Sequence, residues 1–362
     1  MLRSLLSGFR LRLDPWLTGL LLLIMGLGLM VLYSASDRST DVLFRQLIRF
    51  GFGLVLMVIA CQIPPGWYRR WAPWLYGLGI VMLIAVFLIG VGRGAQRWLD
   101  LGVFWFQPSE AIKLAVPLAL AAWLHQKKLP PSLYDIAVCL ALIALPTALI
   151  VQQPDLGTSI LVASGGAVVL FLSGIRWRWI ALAGVSVLAI APLLWTQLRE
   201  YQQNRILTFL NPESDPLGQG WNIIQSKIAV GTGGWQGRGW LNGTQSRLEF
   251  LPEPHTDFIL AVLAEEFGFV GVSVLLLLYA AILLRAVHLI LRTRGVFARL
   301  LGGSLIFLFF VYFLVNAGMV SGLLPVVGVP MPLVSYGGTS AATLLVGFGI
   351  IMGLYSRRKF MQ

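Results

Sequence analysis

The chain has 362 residues, of which 57% are apolar and only 12% are charged, and its mean hydropathy is +0.81. An ordinary soluble domain carries about 25% charged residues, so this composition excludes a disordered tail, a fibrous chain and an ordinary soluble enzyme. The formal net charge is +12. In a membrane chain, surplus Lys and Arg mark the loops that stay in the cytoplasm, so we expect no nucleic-acid partner.

Apolar runs of about 20 residues, the length that crosses a bilayer as a helix, make up most of the chain. Only helices and closed barrels satisfy the backbone in lipid, and these runs are too long and too evenly apolar for barrel strands. The sequence therefore predicts an all-α integral membrane protein, with one transmembrane domain over residues 1–362. The predicted spans are about 15–35, 43–63, 71–92, 108–124, 135–152, 156–173, 178–196, 257–284, 300–321 and 336–356.

The first span is interpreted as an uncleaved helix, because its apolar stretch is too long for a signal peptide. The positive charges then predict cytoplasmic N- and C-termini, since cytoplasmic loops keep Lys and Arg. The outside carries one long extracytoplasmic loop, residues 197–256, between spans seven and eight. The inner segments hold 16 of the 27 Lys and Arg residues, namely Arg3, Arg10, Arg12, Arg69, Arg70, Lys127, Lys128, Arg176, Arg178, Arg285, Arg292, Arg294, Arg299, Arg357, Arg358 and Lys359.

Four inward-running spans each begin with a polar motif at the outer membrane face. Helix N-termini have unpaired N–H groups and a positive dipole end, so each can hold an anion. The acidic residues are equally compatible with simple capping, and both interpretations stay open. We infer a polar vestibule at the outer leaflet. It is formed by segments 107–110, 153–158, 255–258 and 335–340, with Asp155, His255, Asp257, Ser335 and Ser340 as candidate site residues.

Two further groups of polar residues lie beside this vestibule. Glu110 and Lys113 are three residues apart and share one face of span four, either as a self-contained packing pair or as a pair that lines the cavity. An intramembrane charge is costly and favours a functional role. Arg93, Arg97 and Trp98 stand just outside span three, where the tryptophan is typical of an interface anchor.

The long outer loop contains two distinct segments. Trp221, Ile224 and Ile228 follow helical spacing, which predicts a short helix lying on the membrane surface. The glycine-rich segment 231–240 is either a flexible connector or backbone that approaches a substrate closely. It matches neither the P-loop nor the dinucleotide spacing. Cations in or near this segment that could support a substrate are Arg238 and Arg247.

The remaining titratable residues offer little other chemistry. Cys61 and Cys139 fall inside apolar runs and are interpreted as buried hydrophobes. Glu265 and Glu266 are placed deeper in span eight, toward the cytoplasmic side, where a structural role is favoured. No His or Cys cluster has metal-ligand spacing. The chemistry on offer is carboxylate and cation chemistry that faces outward, away from ATP, so a substrate would have to carry its own activation.

Long composite motifs then connect the chain to a known family. Segment 243–253 runs into His255-Thr256-Asp257-Phe258, and a second stretch extends from Asn316 to Ser340. At these motifs the sequence resembles the SEDS family (shape, elongation, division and sporulation), polytopic bacterial proteins that include RodA and FtsW. Val326-Val327-Gly328-Val329-Pro330 is similar to the RodA branch. A departure is Pro254, where the family commonly has a basic or polar residue.

The resemblance implies a peptidoglycan glycosyltransferase of the bacterial cytoplasmic membrane. Such enzymes join lipid-linked disaccharide-peptide units, lipid II, into glycan strands at the outer membrane face. They act with a class B penicillin-binding protein that crosslinks the strands, and with other membrane proteins of the elongation complex. The family's essential aspartate corresponds to Asp257, and its membrane-embedded Glu/Lys pair corresponds to Glu110 and Lys113.

The residues fit that chemistry. The acceptor hydroxyl needs a general base, which we assign to Asp257, while the donor carries polyprenyl pyrophosphate as its leaving group. The charge on that group can be stabilised by cations such as Lys113, Arg93, Arg97, Arg238 and Arg247, or by a divalent cation, Mg²⁺ or Mn²⁺. One base without a nucleophile predicts single displacement with inversion at the anomeric carbon.

Two other functional classes compete with this interpretation. A lipid II flippase should show an internal repeat or paired broken helices near the midplane, and the polar motifs instead collect on one face. A non-catalytic scaffold that recruits the crosslinking transpeptidase would not need the intramembrane charges. A polymerisation assay separates the three classes.

Overall fold

The structure is a computed structural model that describes residues 12–92, 97–100, 102, 105–198, 200–215, 218–244 and 254–356. In these ranges the chain forms long α-helices and one short antiparallel hairpin, β1 (Leu99–Asp100) with β2 (Trp105–Phe106). The helices are α1 Pro15–Ala35, α2 Thr40–Gln62, α3 Pro65–Ile89, α4 Pro108–Leu124, α5 Leu133–Gln152, α6 Leu156–Leu172, α7 Trp177–Gln197, α8 Glu200–Leu210, α9 Gln219–Thr232, α10 Ile259–Leu291, α11 Val296–Val320 and α12 Thr339–Ser356.

The predicted all-α polytopic membrane fold is confirmed, and each predicted span falls on one of these helices. Among the described residues, seven helices are long and apolar enough to cross a membrane, namely α1, α2, α3, α5, α10, α11 and α12. Helices α6 and α7 are apolar but shorter. Helix α4 has only 17 residues, and these include Glu110 and Lys113.

Side-chain caps fix where several helices begin. Asp14 accepts a hydrogen bond from Leu17 N at 2.8 Å and starts α1, and Ser132 caps α5 in the same way. Cap residues of this kind satisfy backbone N–H groups that have no partner within the helix. The helices then pack as a bundle in which α4, α6 and α11 lie against one another and α2 runs along α12. Both cysteines are buried and free, as predicted.

Helix α10 is broken at Gly268, whose φ of +61° and ψ of −158° suit only glycine. The break explains why the predicted eighth span is longer than a crossing needs. Glycine-rich segment 233–239 docks on the break through backbone hydrogen bonds, including one from Arg238 N to the Glu265 carbonyl at 3.0 Å. In this structure the segment is therefore held against α10 by backbone hydrogen bonds and is not a loose connector.

The later part of the connection between α11 and α12 is buried within the bundle, whereas its first part is exposed or half-buried. Met331, Leu333 and Val334 are each about 1–2% exposed, and a Cβ built at Gly28, inside α1, would lie 2.8 Å from Val334 Cα. Irregular backbone at membrane depth is tolerated only where protein buries it or where it lines a cavity. This connection, residues 321–338, is called the re-entrant loop below.

The short helix expected around residues 221–228 is present as α9. The expected apolar stripe was Trp221, Ile224 and Ile228, and Ile228 is 41% exposed. The helix packs against α10 through its opposite side, whose buried members are Ile223, Gln225, Ser226 and Ala229. Ser226 Oγ also donates to Val320 O, at the end of α11, at 3.0 Å. The apolar stripe is left on the outer side of the helix, so its placement on the membrane surface stays a prediction.

Candidate active site

Asp257 lies in the turn that precedes α10 and is half-buried. The cap of α10 is Phe258, so the Asp257 carboxylate does not cap the helix. The backbone carbonyl of Asp257 accepts a hydrogen bond of 2.9 Å from Asn316 Nδ2, in α11. The re-entrant loop approaches the carboxylate itself, because a Cβ built at Gly328 would lie 3.5 Å from Asp257 Oδ2. Asp257 is therefore held by its backbone carbonyl, and its side chain is half-buried.

The turn 255–257 is fastened to the re-entrant loop at two more points. Ser335 Oγ donates to Thr256 O at 2.5 Å and accepts from Met331 N at 2.8 Å. Tyr336 N donates to His255 O at 2.9 Å. With the Asn316 bond, three consecutive carbonyls are fixed from outside the turn. Such backbone support is what keeps a reacting side chain within a fraction of an ångström of its working position.

Helix α2 supplies a wall of this site that the sequence interpretation did not include. Gln46 is fully buried, and its amide pairs with both the N–H and the carbonyl of Gly337 at 3.3 and 3.5 Å. One turn further, the guanidinium of Arg49 stacks over the Tyr336 ring at 4.2 Å. That ring meets His255 edge-on, with a centroid separation of 5.9 Å. The site therefore extends from Asp257 through His255 and Tyr336 to α2.

Asp155, by contrast, is a capping group. It is 8% exposed, caps α6 through Thr158 N at 3.1 Å, and accepts from Gln107 Nε2 at 3.3 Å. Arg97 donates to the carbonyls of Gln153 and Pro154 in the turn just before α6. The structure thus brings the starts of α4 and α6 together. The hydrogen bonds of Asp155 and Arg97 stabilise this arrangement.

Glu110 and Lys113 form a closed triad with Tyr312 of α11. Lys113 Nζ lies 2.7 Å from Glu110 Oε1 and also donates to the Tyr312 hydroxyl, which in turn donates to Glu110 Oε2 at 3.3 Å. Lys113 is 2% exposed. Of the two interpretations left open, this geometry favours the packing pair, extended across to a second helix. The sequence interpretation missed Tyr312 because a tyrosine in an apolar run is usually ordinary core.

Glu265 and Glu266 sit beside the long outer loop, not toward the cytoplasmic side as expected. Thr244 donates to Glu265 Oε1 through both its backbone N and its hydroxyl, at 2.7 and 2.8 Å. Ser34, at the end of α1, donates to Glu266. The expectation failed because the break at Gly268 leaves only a short first segment of α10 before the loop docks. The expected structural role agrees with these contacts.

The other predicted site residues have mixed positions. Arg238 is exposed and donates to Thr244 Oγ1 at 2.7 Å. Trp98 is half-buried and forms a β-bridge with Val91. Ser340 is half-buried beside Gly337 in the first turn of α12. Arg93 and Arg247 lie outside the described residues.

Two signals in the sequence could have found the missed residues. Asn316 is a lone amide in an otherwise apolar helix, and Gln46 and Arg49 are polar residues three apart within the second predicted span. Polar groups inside a span usually face the bundle interior. For a metal, the described part of the chain contains no group of three or more His, Cys, Asp or Glu residues that could hold an ion. The described residues therefore do not gather three such ligands around one ion.

The family model described as "Cell cycle protein", for FtsW, RodA and SpoVE, matches residues 15–359. Escherichia coli (strain K12) peptidoglycan glycosyltransferase MrdB is 51% identical over 98% of this chain and 96% of its own length. Bacillus subtilis stage V sporulation protein E is 34% identical over 95% of this chain and 98% of its own. A probable FtsW from Trichlorobacter lovleyi is also 34% identical, with 92% of each chain covered. This identity is lower than the 51% found for MrdB, which agrees with the predicted distance from the FtsW branch.

Solved structures give the same result. One chain, from work described as "Structural coordination of polymerization and crosslinking by a peptidoglycan synthase complex", has a TM-score of 0.84 and 34% identity, covering 95% of this chain and 98% of that one. The crystal structure of Thermus thermophilus rod shape determining protein RodA has a TM-score of 0.73 and 30% identity, covering 95% and 97%. By its full-length sequence match and its fold, this chain belongs to the SEDS family of FtsW, RodA and SpoVE proteins.

Proposed function

We propose that this protein is a peptidoglycan glycosyltransferase that polymerises lipid II into glycan strands during cell elongation. The observation that carries the proposal is the state of Asp257: its turn is fixed at three consecutive carbonyls, it does not cap α10, and it is half-buried rather than sealed. The 51% identity to Escherichia coli peptidoglycan glycosyltransferase MrdB supports the reaction class.

The proposed reaction is a single displacement. The Asp257 carboxylate takes the proton from the acceptor sugar hydroxyl, whose oxygen forms a bond to the anomeric carbon of the donor. The bond from that carbon to the pyrophosphate oxygen breaks, and polyprenyl pyrophosphate leaves with the electron pair. Attack from the opposite face inverts the anomeric configuration. A general base of this kind contributes about 10²–10⁴-fold to the rate.

Other residues position the reacting groups, and cations stabilise the negative charge on the leaving pyrophosphate. Asn316 and Ser335 position the Asp257 turn, as their contacts with adjacent carbonyls indicate. We assign no step to a metal, because the described residues do not gather a donor set for one. Lys113 is surrounded by Glu110 and Tyr312, so it acts by holding α4 against α11 rather than by meeting the substrate.

We further propose that the Asp257 end of the bundle faces outward from the cytoplasmic membrane, with both termini in the cytoplasm. The distribution of Lys and Arg between the two sets of loops supports this orientation. A class B penicillin-binding protein is the proposed partner, since a chain of the same fold comes from a peptidoglycan synthase complex that couples polymerization and crosslinking. Other elongation-complex membrane proteins are expected to join the pair.

The test is polymerisation of purified lipid II by the full-length protein with its crosslinking partner, with products separated on a gel. Polymer from the wild type and none from Asp257→Ala is the expected result. Exposed Glu200 in α8 provides a matched control, because Glu200→Ala also removes a carboxylate and should leave polymerisation unchanged.

Four outcomes would redirect the assignment. Full polymer yield from Asp257→Ala would refute the assignment of Asp257 as general base. Absence of polymer from the wild-type complex would refute the assignment as a glycosyltransferase. Transbilayer movement of lipid II in vesicles without polymer would identify a flippase. No activity of either kind would leave a scaffold for the transpeptidase.

A further inference from the structure

Arg49 is a charged residue well inside an apolar span. It is the tenth residue of α2, so it lies about 13 Å along the helix axis from Thr40 at 1.5 Å per residue. Helix α2 is among the helices long and apolar enough to cross a membrane. A charge at that depth is costly unless it faces the bundle interior or a water-filled cavity. Arg49 therefore needs an anionic or polar neighbour.

The described residues give Arg49 an aromatic platform but no anion. Its guanidinium stacks over the Tyr336 ring at 4.2 Å, and the stem of its side chain passes Gly338, where a Cβ would lie 3.1 Å from Arg49 Cδ. In this part of the chain no hydrogen bond or ion pair of Arg49 is seen. Stacking fixes the plane of the guanidinium and leaves its five N–H donors at the edge. The side chain is half-buried, so a ligand can reach that edge.

We propose that Arg49 binds the pyrophosphate of the lipid-linked donor, an inference that rests on the proposed function. The stack continues from Tyr336 to His255, two residues before Asp257, so the guanidinium and the general base belong to one continuous site. A guanidinium edge suits phosphate oxygens because it offers two parallel N–H donors. The lipid end of the donor would enter beside α2, since the pyrophosphate separates the sugar from the polyprenyl chain.

Gln46 provides an internal contrast on the same face of α2. It is fully buried and is paired with backbone groups of Ser335 and Gly337. It therefore positions the re-entrant loop without reaching substrate. Substituting Gln46 should lower kcat with little change in KM, whereas substituting Arg49 should raise KM for the donor.

The test uses full-length protein with its crosslinking partner in nanodiscs of neutral phosphatidylcholine, with lipid II as donor. Arg49→Met keeps the length of the side chain and removes the charge, and Arg49→Lys keeps the charge without the planar fork. Arg70→Met removes a charge from an exposed arginine of α3 and serves as the matched control. Thermal unfolding of each variant separates lost binding from lost folding.

We expect Arg49→Met to raise KM for lipid II by about tenfold to a hundredfold, the usual effect of losing charge-assisted hydrogen bonds. Inorganic pyrophosphate should inhibit the wild type and lose potency by a similar factor in Arg49→Met. Arg49→Lys should fall between the two, and Arg70→Met should match the wild type.

The phosphate could instead belong to an anionic membrane lipid, so each measurement is repeated with phosphatidylglycerol in the nanodiscs. An effect of Arg49→Met that is present only with phosphatidylglycerol would assign the residue to a membrane headgroup and overturn the proposal. Unchanged KM in a folded Arg49→Met variant would overturn it as well. Failure of the wild type to polymerise would refute the proposed function itself, a different result from either.

Discussion

Two aspartates stand just before helices α6 and α10, and they make different contacts in the structure. Asp155 caps α6, is 8% exposed, and shares its second oxygen with Gln107. Asp257 precedes α10 without capping it and is half-buried. The same sequence pattern, an acid before an apolar run, therefore produces a buried helix cap in one place and a half-buried carboxylate, the proposed general base, in the other.

The difference lies in the backbone. At α6 the side chain of Asp155 satisfies a helix N–H, which is the usual task of an N-cap residue. At α10 the supporting bonds come from Asn316, Ser335 and Tyr336, and all three act on main-chain carbonyls or through a main-chain N–H. The two aspartates therefore differ in whether the main chain or the side chain carries the contacts to neighbouring elements that the structure shows.

The largest expected effect compares these two carboxylates directly. Asp257→Asn should lower polymerisation by about 10²–10⁴-fold, as expected for loss of a general base, without lowering the thermal unfolding temperature. Asp155→Asn should retain activity, because asparagine also caps helices well. Equal loss of activity in two stable variants would show that the comparison is wrong.

A second prediction asks whether the Glu110–Lys113–Tyr312 triad is structural. Lys113→Met should cost about 3–5 kcal/mol of folding stability, because it leaves Glu110 buried and uncompensated. The double variant Glu110→Leu with Lys113→Met should recover most of that stability, measured by thermal unfolding in detergent. Recovery of stability with recovery of polymerisation supports a packing role, and recovery of stability without polymerisation contradicts it.

A third prediction concerns the support of the Asp257 turn. Asn316→Ala removes hydrogen bonds to the carbonyls of Asp257 and Val329, and Ser335→Ala removes one to Thr256. Each should lower kcat by about tenfold, since every 1.4 kcal/mol of lost stabilisation is about tenfold. KM for lipid II should stay near its wild-type value. An effect confined to KM would place these residues against substrate instead.

The smallest effect belongs to a helix-start aspartate remote from the site. Burial raises the pKa of Asp14, but its bonds with Arg285 and Leu17 N and the charge of Arg285 outweigh burial and lower that pKa below 3.8. Its contribution to stability is therefore complete above pH 3.8 and is lost as the pH falls through the lowered pKa. Asp14→Asn should cost about 1 kcal/mol at neutral pH.

Thermal unfolding of wild type and Asp14→Asn between pH 3 and 7 checks the sign of this effect. The two curves should converge at the acid end. A gap that widens as the pH falls would contradict it, and full polymerisation by Asp14→Asn at neutral pH is expected because Asp14 lies far from Asp257 along the bundle.

Hydropathy was sufficient to predict the helices, and the sequence motifs were sufficient to predict the family. Both predictions are confirmed. Long apolar runs can form only a few structures in lipid. The positions of these runs in the sequence therefore predict the positions of the helices in the structure. The break at Gly268 and the partly buried loop 321–338 could not be predicted, because both depend on bonds to segments distant in sequence. The sequence left open whether Asp155 caps its helix, and it did not identify Tyr312, which is 199 residues from Lys113, as the third member of the triad.

The pH dependence of a single turnover tests the role of Asp257 most directly. With enzyme in excess over lipid II, the wild-type rate should fall about tenfold per pH unit on the acid side. This fall is expected because protonation of the general base stops it from accepting the proton of the acceptor hydroxyl. Asp257→Asn should be slow and should lack that acid limb. An acid limb that persists unchanged in Asp257→Asn would show that another group accepts the proton, and would contradict the account.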